Sequence, residues 1–130
     1  LAFGEVAGTP IFGLPGNPVS AWITFALMAK PWLIRRQGGN TEPLPRFPVQ
    51  ADFQKPRPGN REEFLRVRLS GSGTAMRATL TRSQSSGVLS SVSEADGVAV
   101  IPPNTTLTRG DWVEVIPLWA LLSPVFAQAY

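Results

Sequence analysis

Apolar and polar residues alternate along much of the second half of the chain. The segment "EFLRVRLS", residues 63–70, places Leu65, Val67 and Leu69 at every second position, with Arg66 among the residues between them. Alternation with a period of two is typical of a strand that has one buried face. The pattern therefore predicts a strand here, with Arg66 on the face opposite the three apolar side chains.

Four further segments are short, rich in apolar residues and separated by Gly, Pro, Asn and Ser. They are "FPVQADF" (47–53), "AMRATLTR" (75–82), "GVAVIP" (97–102) and "DWVEVIPL" (111–118). Short strands separated by such turns are typical of a small all-β domain, so the fold class is predicted to be mainly β, with a compact barrel or sandwich over residues 45–118. The residues that we expect to be largely buried in it are Leu65, Val67, Leu69, Val98, Val100, Val113 and Val115.

The first 38 residues have a different pattern. The segments 1–6 and 10–14 predict two short strands, and nearly every residue from 19 to 29 is apolar, which predicts a helix that is covered on most sides. Pro31 is expected to end or kink this helix. The following "RRQGG", residues 35–39, supplies the cations and glycines that are favoured at the carboxyl end of a helix.

The character of the chain changes at "GNTEPLPR", residues 39–46, where prolines and polar residues indicate a linker. We therefore expect residues 1–38 to belong to one domain and residues 47–118 to form a second domain, the β-barrel. Residues 119–130 are an apolar tail without an assignable pattern, which we expect to pack on a partner or on a part of the protein outside this chain.

Composition excludes several kinds of chemistry. The chain has 130 residues, enough for one domain or for a small domain with part of another, and no cysteine or histidine. Disulfides, thiolate nucleophiles, imidazole bases and Cys/His zinc sites are therefore excluded. The longest apolar segment, residues 18–34, is interrupted by polar residues and is not expected to span a membrane. The chain starts without a methionine or a signal-peptide pattern, so we expect a fragment of a cytoplasmic protein.

The net charge is +3, and basic residues outnumber acidic ones between Arg46 and Arg82. This local excess suggests an anionic partner, although a solvated basic face has the same composition.

The segment "PGNPVS" precedes the predicted helix and is built for a sharp helix start. Asn17 suits the N-cap and Pro18 the first helical position, while Pro15 stiffens the incoming chain and Gly16 is able to adopt a left-handed conformation. Free amides of the first turn, including that of Ser20, lie at the positive end of the helix dipole, a geometry that binds anions. A well-capped helix without a ligand would need the same residues.

The longer segment "GLPGNPVSAWITF", residues 13–25, resembles the signature of the molybdopterin molybdenumtransferase family, which includes MoeA and the gephyrin E-domain. The upstream "LAFGEVAGTPIFG" is similar to the preceding hairpin of that family. The segments "GNREEFLRVRL", "SSGVLSSVSEADGVAVIPPNTT" and "GDWVEVIPL" are similar to successive parts of its carboxyl-terminal β-barrel domain. The resemblance covers residues 1–118 and implies that residues 1–38 are the end of an α/β molybdopterin-binding domain.

The resemblance implies a role in molybdenum cofactor biosynthesis, as part of the enzyme that inserts molybdate into adenylylated molybdopterin (molybdopterin-AMP) and releases AMP. Mg²⁺ assists this reaction in the family through ligands that belong mostly to sequence before Leu1, so no metal ligand is assigned in this chain and the chain alone is not expected to be active. The resemblance also implies a homodimer whose cleft is built between subunits, without a nucleic-acid or membrane partner.

Site residues are implied in the same way. The candidate catalytic residues are Arg66, which matches an arginine of the barrel domain that faces the cleft, and Ser86, which matches the serine of a serine–glycine loop. The candidate cofactor-binding residues are Pro15, Gly16, Asn17, Pro18, Ser20 and Gly87. From pattern alone, an exposed strand arginine is the favoured interpretation of Arg66, and residues 85–87 suit a plain turn.

Two other functions remain open. One is a scaffold, as in gephyrin-like members of the family, which hold receptor peptides at an apolar groove between domains. The other is a small barrel that binds single-stranded nucleic acid through a basic, aromatic face. Phe64 is the only aromatic residue among the arginines of its strand, whereas a stacking surface needs several.

Overall fold

The computed structural model of the chain describes residues 2–16, 18–82, 84, 93–123 and 126–127. It begins with an antiparallel hairpin of β1 (Ala2–Val6) and β2 (Thr9–Gly13), which confirms the two predicted strands. Ala7 and Gly8, the two residues between the strands, have positive φ angles of 49° and 78°. Positive φ at both central residues is typical of the two-residue turns whose twist matches that of a hairpin.

A continuous helical run follows the hairpin. It consists of α1 (Pro18–Thr24), a π-helical segment (Phe25–Ala29) and α2 (Lys30–Arg36). The backbone N–H of Lys30 donates to the carbonyl of Phe25, five residues earlier. Pro31 has no N–H and would clash with the carbonyl four residues before it in a regular α-helix, and the wider π-helical segment accommodates it. The expectation that Pro31 could end the helix was therefore wrong.

The helical run ends as the sequence predicts, with two arginines followed by glycines. The N–H of Gly38 donates to the carbonyl of Arg35 at 3.0 Å, and the N–H of Gly39 donates to the carbonyl of Ile34 at 2.9 Å. This pair of hydrogen bonds is the Schellman motif, which needs a left-handed residue after the helix. Gly38 fills that position with a φ angle of 83°.

Five strands then form a closed barrel in the spatial order β4, β6, β5, β7, β8. Their bounds are β4 (Phe47–Ala51), β5 (Glu63–Ser70), β6 (Arg77–Leu80), β7 (Gly97–Ile101) and β8 (Trp112–Pro117). Neighbouring strands are antiparallel except for β4 and β6, which run parallel. A short 3₁₀ helix (Gly73–Ala75) lies between β5 and β6. The predicted mainly β fold with a small barrel is confirmed.

The barrel interior is a cluster of buried apolar side chains. Its members are Val49, Ala51, Phe53, Val67, Ala78, Ala99, Ile101, Leu107, Val113 and Val115. Leu65 and Leu69 pack against it but are only half-buried, short of the burial that we expected for them. The predicted alternation of β5 is confirmed, because Val67 faces this interior while Arg66 pairs with Val98 on the opposite face.

A second apolar cluster, the helix-facing cluster, joins the helices to the outer face of the barrel. Its members are Val19, Ile23, Ala26, Leu27, Leu44, Val98, Val100, Ile116, Ala120 and Leu121. Val98 and Val100 are thus buried, as predicted, but they are covered by helices outside the barrel instead of lying in its interior. Every residue of β7 is buried as a result.

The apolar tail also contributes to this second cluster. Leu118–Leu122 forms a helix, α3, whose Ala120 and Leu121 are buried in the cluster beside residues of α1 and the π-helical segment. Beyond it, β9 (Phe126–Ala127) pairs in parallel with β3 (Glu42–Pro43). The described part of the tail therefore packs on this chain itself, whereas we expected the tail to pack on a partner or on a missing part of the protein.

Candidate functional site

Arg66 lies in the middle of β5, on the outer face of the barrel. On this face it lies between Phe64, which packs against the helix-facing cluster, and Arg68, which is exposed. Arg66 itself is only 4% exposed. The interpretation of Arg66 as an exposed strand arginine was therefore wrong, because alternation shows on which face of a strand a residue lies but not whether that face is covered.

The backbone of Arg66 is held by the side-chain amide of Gln84. The Arg66 N–H donates to Gln84 Oε1 at 3.0 Å, and Gln84 Nε2 donates to the Arg66 carbonyl at 2.8 Å. Gln84 Nε2 also donates to Thr81 Oγ1 at 2.9 Å, and the Thr81 N–H donates to the Arg66 carbonyl at 3.1 Å. Both backbone polar groups of Arg66 are thus satisfied by the residues that follow β6.

Asp96, one of the described residues near the end of the serine-rich segment that follows Gln84, is also hydrogen-bonded to β5. The Asp96 N–H donates to the Val67 carbonyl at 2.8 Å, and Asp96 Oδ2 accepts a hydrogen bond from the Leu69 N–H at 2.8 Å. Ser86 and Gly87 lie outside the described residues. The described residues on either side of the segment are therefore attached to the strand that carries Arg66.

The electrostatic surroundings of Arg66 are basic. Burial lowers the pKa of the Arg66 guanidinium below its ordinary value. Arginine side chains nevertheless stay protonated in proteins. Arg68 and Arg82 are exposed, and no ion pair to either is found within the described residues. In contrast, Arg46 and Lys55 pair with Glu114 and Glu63 at 3.7 and 3.2 Å. The basic excess seen in the sequence is thus partly neutralised at Arg46 and Lys55, while Arg68 and Arg82 have no ion pair among the described residues.

The proline–glycine loop precedes α1 directly. Pro15 is half-buried and Gly16 is exposed, and a Cβ atom added at Gly16 would meet no atom of the described residues within 4 Å. Gly16 does not adopt the left-handed conformation that we considered for it. α1 begins at Pro18, as predicted, and includes Ser20, whose side chain is not described.

Asn17 lies outside the described residues, so its N-cap role remains a prediction. The open space beside Gly16 is compatible with a ligand close to the backbone at this point.

The loop and the barrel are joined through the helix-facing cluster. Val19, which follows Pro18, and Val98, which pairs with Arg66, both belong to it. The hydrogen bonds described above for Arg66 connect it to Gln84 and Thr81, and not to Pro15 or Gly16. The fold therefore relates the two parts of the predicted site through packing, with Arg66 on the barrel side and the loop on the helix side.

A magnesium site does not fit the described residues. Within the described ranges, no group of three or more Asp, Glu, His or Cys residues is arranged to hold a metal ion. The same part of the chain contains no helix that is long and apolar enough to cross a membrane.

Sequence reasoning missed Gln84 and Thr81. A polar residue in a loop carries no periodic signal, and the partner of Gln84 lies 18 residues earlier in the chain. The only available indication was local: Gln84 directly precedes the serine–glycine segment that the resemblance pointed to.

Comparison with protein families identifies the barrel. The family model described as the MoeA C-terminal region (domain IV) matches residues 48–118. Two curated relatives are named Molybdopterin molybdenumtransferase 1, from the CDC 1551 / Oshkosh and ATCC 25618 / H37Rv strains of Mycobacterium tuberculosis. Each is 33% identical over an alignment of 123 positions, which covers 87% of this chain and 28% of the relative. The chain thus spans just over a quarter of the length of these relatives.

Solved structures agree with this assignment. A molybdopterin biosynthesis MoeA protein from Pyrococcus horikoshii is 31% identical with a TM-score of 0.67, over 89% of this chain and 28% of that chain. A molybdenum cofactor biosynthesis protein from Pyrococcus furiosus is 25% identical with a TM-score of 0.62, over 78% of this chain and 36% of that chain. The similarity therefore extends beyond the barrel to most of the chain.

Proposed function

This chain belongs to the MoeA family, and on that premise we propose that it supplies the carboxyl-terminal part of a molybdopterin molybdenumtransferase that acts in molybdenum cofactor biosynthesis. The proposed reaction inserts molybdate into adenylylated molybdopterin and releases AMP. The names of the two mycobacterial relatives support this assignment. The structural observation that carries it is the buried guanidinium of Arg66 on the helix-facing side of the barrel.

Arg66 is proposed to bind an oxygen pair of molybdate or of the substrate phosphate. A guanidinium presents its donors in a planar fork, which matches two oxygens of a tetrahedral anion. Burial removes competing water, so a charge-assisted hydrogen bond is stronger there than at an exposed site. The neighbouring exposed cations, Arg68 and Arg82, add to the attraction of an anion toward Arg66.

The loop at the start of α1 is proposed to bind the same substrate from the other side. Pro15 and Pro18 are proposed to shape the loop, and Gly16, Asn17 and Ser20 are proposed to bind the substrate at the positive end of the helix dipole. The start of α1 at Pro18 and the open space at Gly16 support this role. Ser86 and Gly87 are proposed to offer a hydroxyl and an amide near Arg66, because they follow Gln84 by two and three residues.

The complete site is proposed to need more than this chain. We expect Mg²⁺ to be held by other residues of the protein, since the described ones form no cluster for it. We also propose a homodimer, in which the barrel of residues 47–118 faces the molybdopterin-binding domain of the other subunit, with residues 39–46 as the linker. The protein is expected to act in the cytoplasm.

A nucleic-acid function is less well supported than this enzymatic one. Phe64, the aromatic residue among the arginines of β5, packs against the helix-facing apolar cluster. A side chain that packs in this way is not available to stack on a base.

Turnover of Arg66 variants tests the proposal in the complete protein. Arg66→Ala is expected to reduce kcat/KM for molybdate about tenfold to a hundredfold, because a charge-assisted hydrogen bond is worth roughly 1.5 to 3 kcal/mol. Arg66→Lys is expected to recover only part of the loss, since an ammonium keeps the charge but lacks the planar fork. The measurement is AMP release and cofactor maturation at varied molybdate.

The burial of Arg66 requires a stability control. Arg66→Ala leaves a cavity at a buried position, so the melting temperature is expected to fall as well, and turnover is measured well below the melting temperature of every variant. Arg61→Ala removes the same charge from an exposed residue just before β5 and is expected to leave turnover unchanged. If Arg66→Ala behaves like Arg61→Ala in turnover, the enzymatic role of Arg66 is wrong and a scaffold function becomes the better proposal.

A further inference from the structure

We infer that Gln84 is a positioning residue for Arg66: its side-chain amide fixes the backbone from which the guanidinium reaches the anionic substrate. The inference rests on the proposed function, because it assumes that Arg66 binds the substrate anion. It goes beyond that function by naming the residue that sets the orientation of Arg66.

The side-chain amide of Gln84 forms hydrogen bonds with β5 at the point where the pairing between β5 and β6 ends. β6 pairs with β5 up to Leu80, which lies opposite Val67. Arg66 is the next residue on β5, at the end of this ladder, and Gln84 supplies both an acceptor and a donor to it. A side-chain amide has the same hydrogen-bonding groups as a peptide unit, so Gln84 replaces a strand partner for this one residue.

The amide is itself held in one orientation. Gln84 Nε2 donates to Thr81 Oγ1 as well as to the Arg66 carbonyl, while Gln84 Oε1 accepts from the Arg66 N–H. Thr81 is only 4% exposed, so these bonds form in a largely desolvated place where leaving a donor or acceptor unsatisfied is costly. Reversing the amide would place its NH₂ group against the Arg66 N–H, two donors facing each other. The network therefore permits one arrangement of the amide and one position of the Arg66 backbone.

This arrangement matters for recognition because a strand residue aims its side chain through its backbone. Arg66 reaches the helix-facing side of the barrel only while β5 keeps its register and twist at this position. Without Gln84, the N–H and carbonyl of Arg66 lose two of their partners at the end of the ladder. The guanidinium is then less well pre-organised, and a planar bidentate contact tolerates little misorientation.

The first test is Gln84→Met in the complete protein, with AMP release measured at varied molybdate. Methionine keeps the approximate volume but makes none of the three amide hydrogen bonds. We expect kcat/KM for molybdate to fall about tenfold, a size common for coupled residues of one hydrogen-bond network. The Arg66 backbone N–H is also expected to exchange with solvent faster than in the wild type.

The decisive test is the double variant Gln84→Met with Arg66→Ala. If Gln84 acts through Arg66, its replacement has little further effect on kcat/KM for molybdate once the guanidinium is absent, and the loss stays within about twofold of Arg66→Ala alone. A purely structural role predicts instead that the two losses multiply. Multiplying losses would overturn the inference.

Two variants protect the test against trivial outcomes. Gln84→Glu keeps the volume and the acceptor but removes the donor to the Arg66 carbonyl, so it is expected to reproduce the loss and serves if Gln84→Met does not fold. Asp111→Ala removes another side-chain acceptor of a backbone N–H, that of Thr108 at 2.9 Å, in a turn before β8. It is expected to lower the melting temperature without changing kcat/KM for molybdate.

The outcomes separate the inference from the proposed function. If Arg66→Ala reduces kcat/KM for molybdate and Gln84→Met does not, the inference is wrong and the proposed function stands. If Arg66→Ala itself has no effect, the proposed function is wrong and the inference falls with it.

Discussion

The ammonium group of Lys30 donates a 2.6 Å hydrogen bond to the carbonyl of Leu121, 91 residues further along the chain. It also donates to the carbonyl of Ser123 at 2.7 Å. Both carbonyls lie at the carboxyl end of α3, where a helix leaves its last carbonyls without intrahelical donors and favours a cation. Lys30 is the first residue of α2, so its two hydrogen bonds link α3, which lies in the apolar tail, to α2.

Replacing Lys30 with methionine is expected to destabilise the protein. Lys30→Met keeps most of the aliphatic stem but removes the donors to two carbonyls, and hydrogen bonds from charged groups contribute about 1.5 to 3 kcal/mol. The measurement is the free energy of unfolding by urea. Arg57→Met serves as the control, since Arg57 is an exposed cation whose side chain joins no two elements in the described structure. Equal losses in the two variants would contradict the role of Lys30 at α3.

The stability difference between wild type and Lys30→Met is expected to depend on pH. Burial lowers the pKa of the Lys30 ammonium below its ordinary value of 10.5. Between the folded pKa and 10.5 the unfolded chain binds more protons at Lys30, so the free energy of unfolding rises with pH in that window. The wild type should gain stability relative to Lys30→Met as pH rises toward 10.5. The measurement is the melting temperature of both proteins at each pH. A difference in melting temperature that does not change with pH would contradict the lowered pKa of Lys30.

Gly97, the first residue of β7, is expected not to tolerate a side chain. A Cβ atom there would lie 2.6 Å from the Ile116 carbonyl oxygen and 3.0 Å from Val115 Cγ1, and the backbone carbonyl of β8 cannot move aside cheaply. Gly97→Ala should cost about 1 to 3 kcal/mol of stability, as overpacking does. Gly4→Ala, at an exposed position with nothing within 4 Å, is the matched control and should be near neutral. The free energies of unfolding of both variants are measured by urea denaturation. Similar losses of stability in the two variants would contradict the close approach of β7 and β8.

Asn17 is predicted to cap α1. The helix begins at Pro18, so Asn17 occupies the N-cap position of the sequence, and Asn17→Ala should reduce stability by about 1 kcal/mol. Asn60→Ala, at an exposed asparagine outside any helix or strand, is expected to have no measurable effect. The measurement is thermal melting of the two variants. An unchanged melting temperature in Asn17→Ala would contradict the predicted capping role of Asn17.

The elements of this protein follow closely from local sequence. The alternation of "EFLRVRLS" predicts β5 with its observed bounds, Pro18 predicts the start of the helical run, and "RRQGG" predicts its end. These features depend on neighbours within a few residues: side chains alternate along a strand, proline restricts φ, and glycine permits the left-handed turn. The family resemblance is also determined by local sequence, because each motif that carries it is a contiguous stretch of the chain.

Tertiary structure decided which elements cover the outer barrel face. The unbroken apolar run of β7 is consistent with a strand that is buried on both faces, but it does not show that the helices cover one of them. Val98 and Val100 lie in the helix-facing cluster, while Ala99 and Ile101 fill the barrel interior. Arg66 lies on the outer face of the barrel as well and is buried there.

Long-range polar contacts were equally invisible in the sequence. Gln84 reaches Arg66 across 18 residues, and Lys30 reaches Leu121 across 91. Such contacts depend on how the barrel closes and where the last helix packs, and a single polar residue in a loop or on a helix carries no signal of its distant partner. The residues that form the elements were therefore set by sequence, and the residues that orient and fasten them were set by packing, because only packing brings their partners within hydrogen-bonding distance.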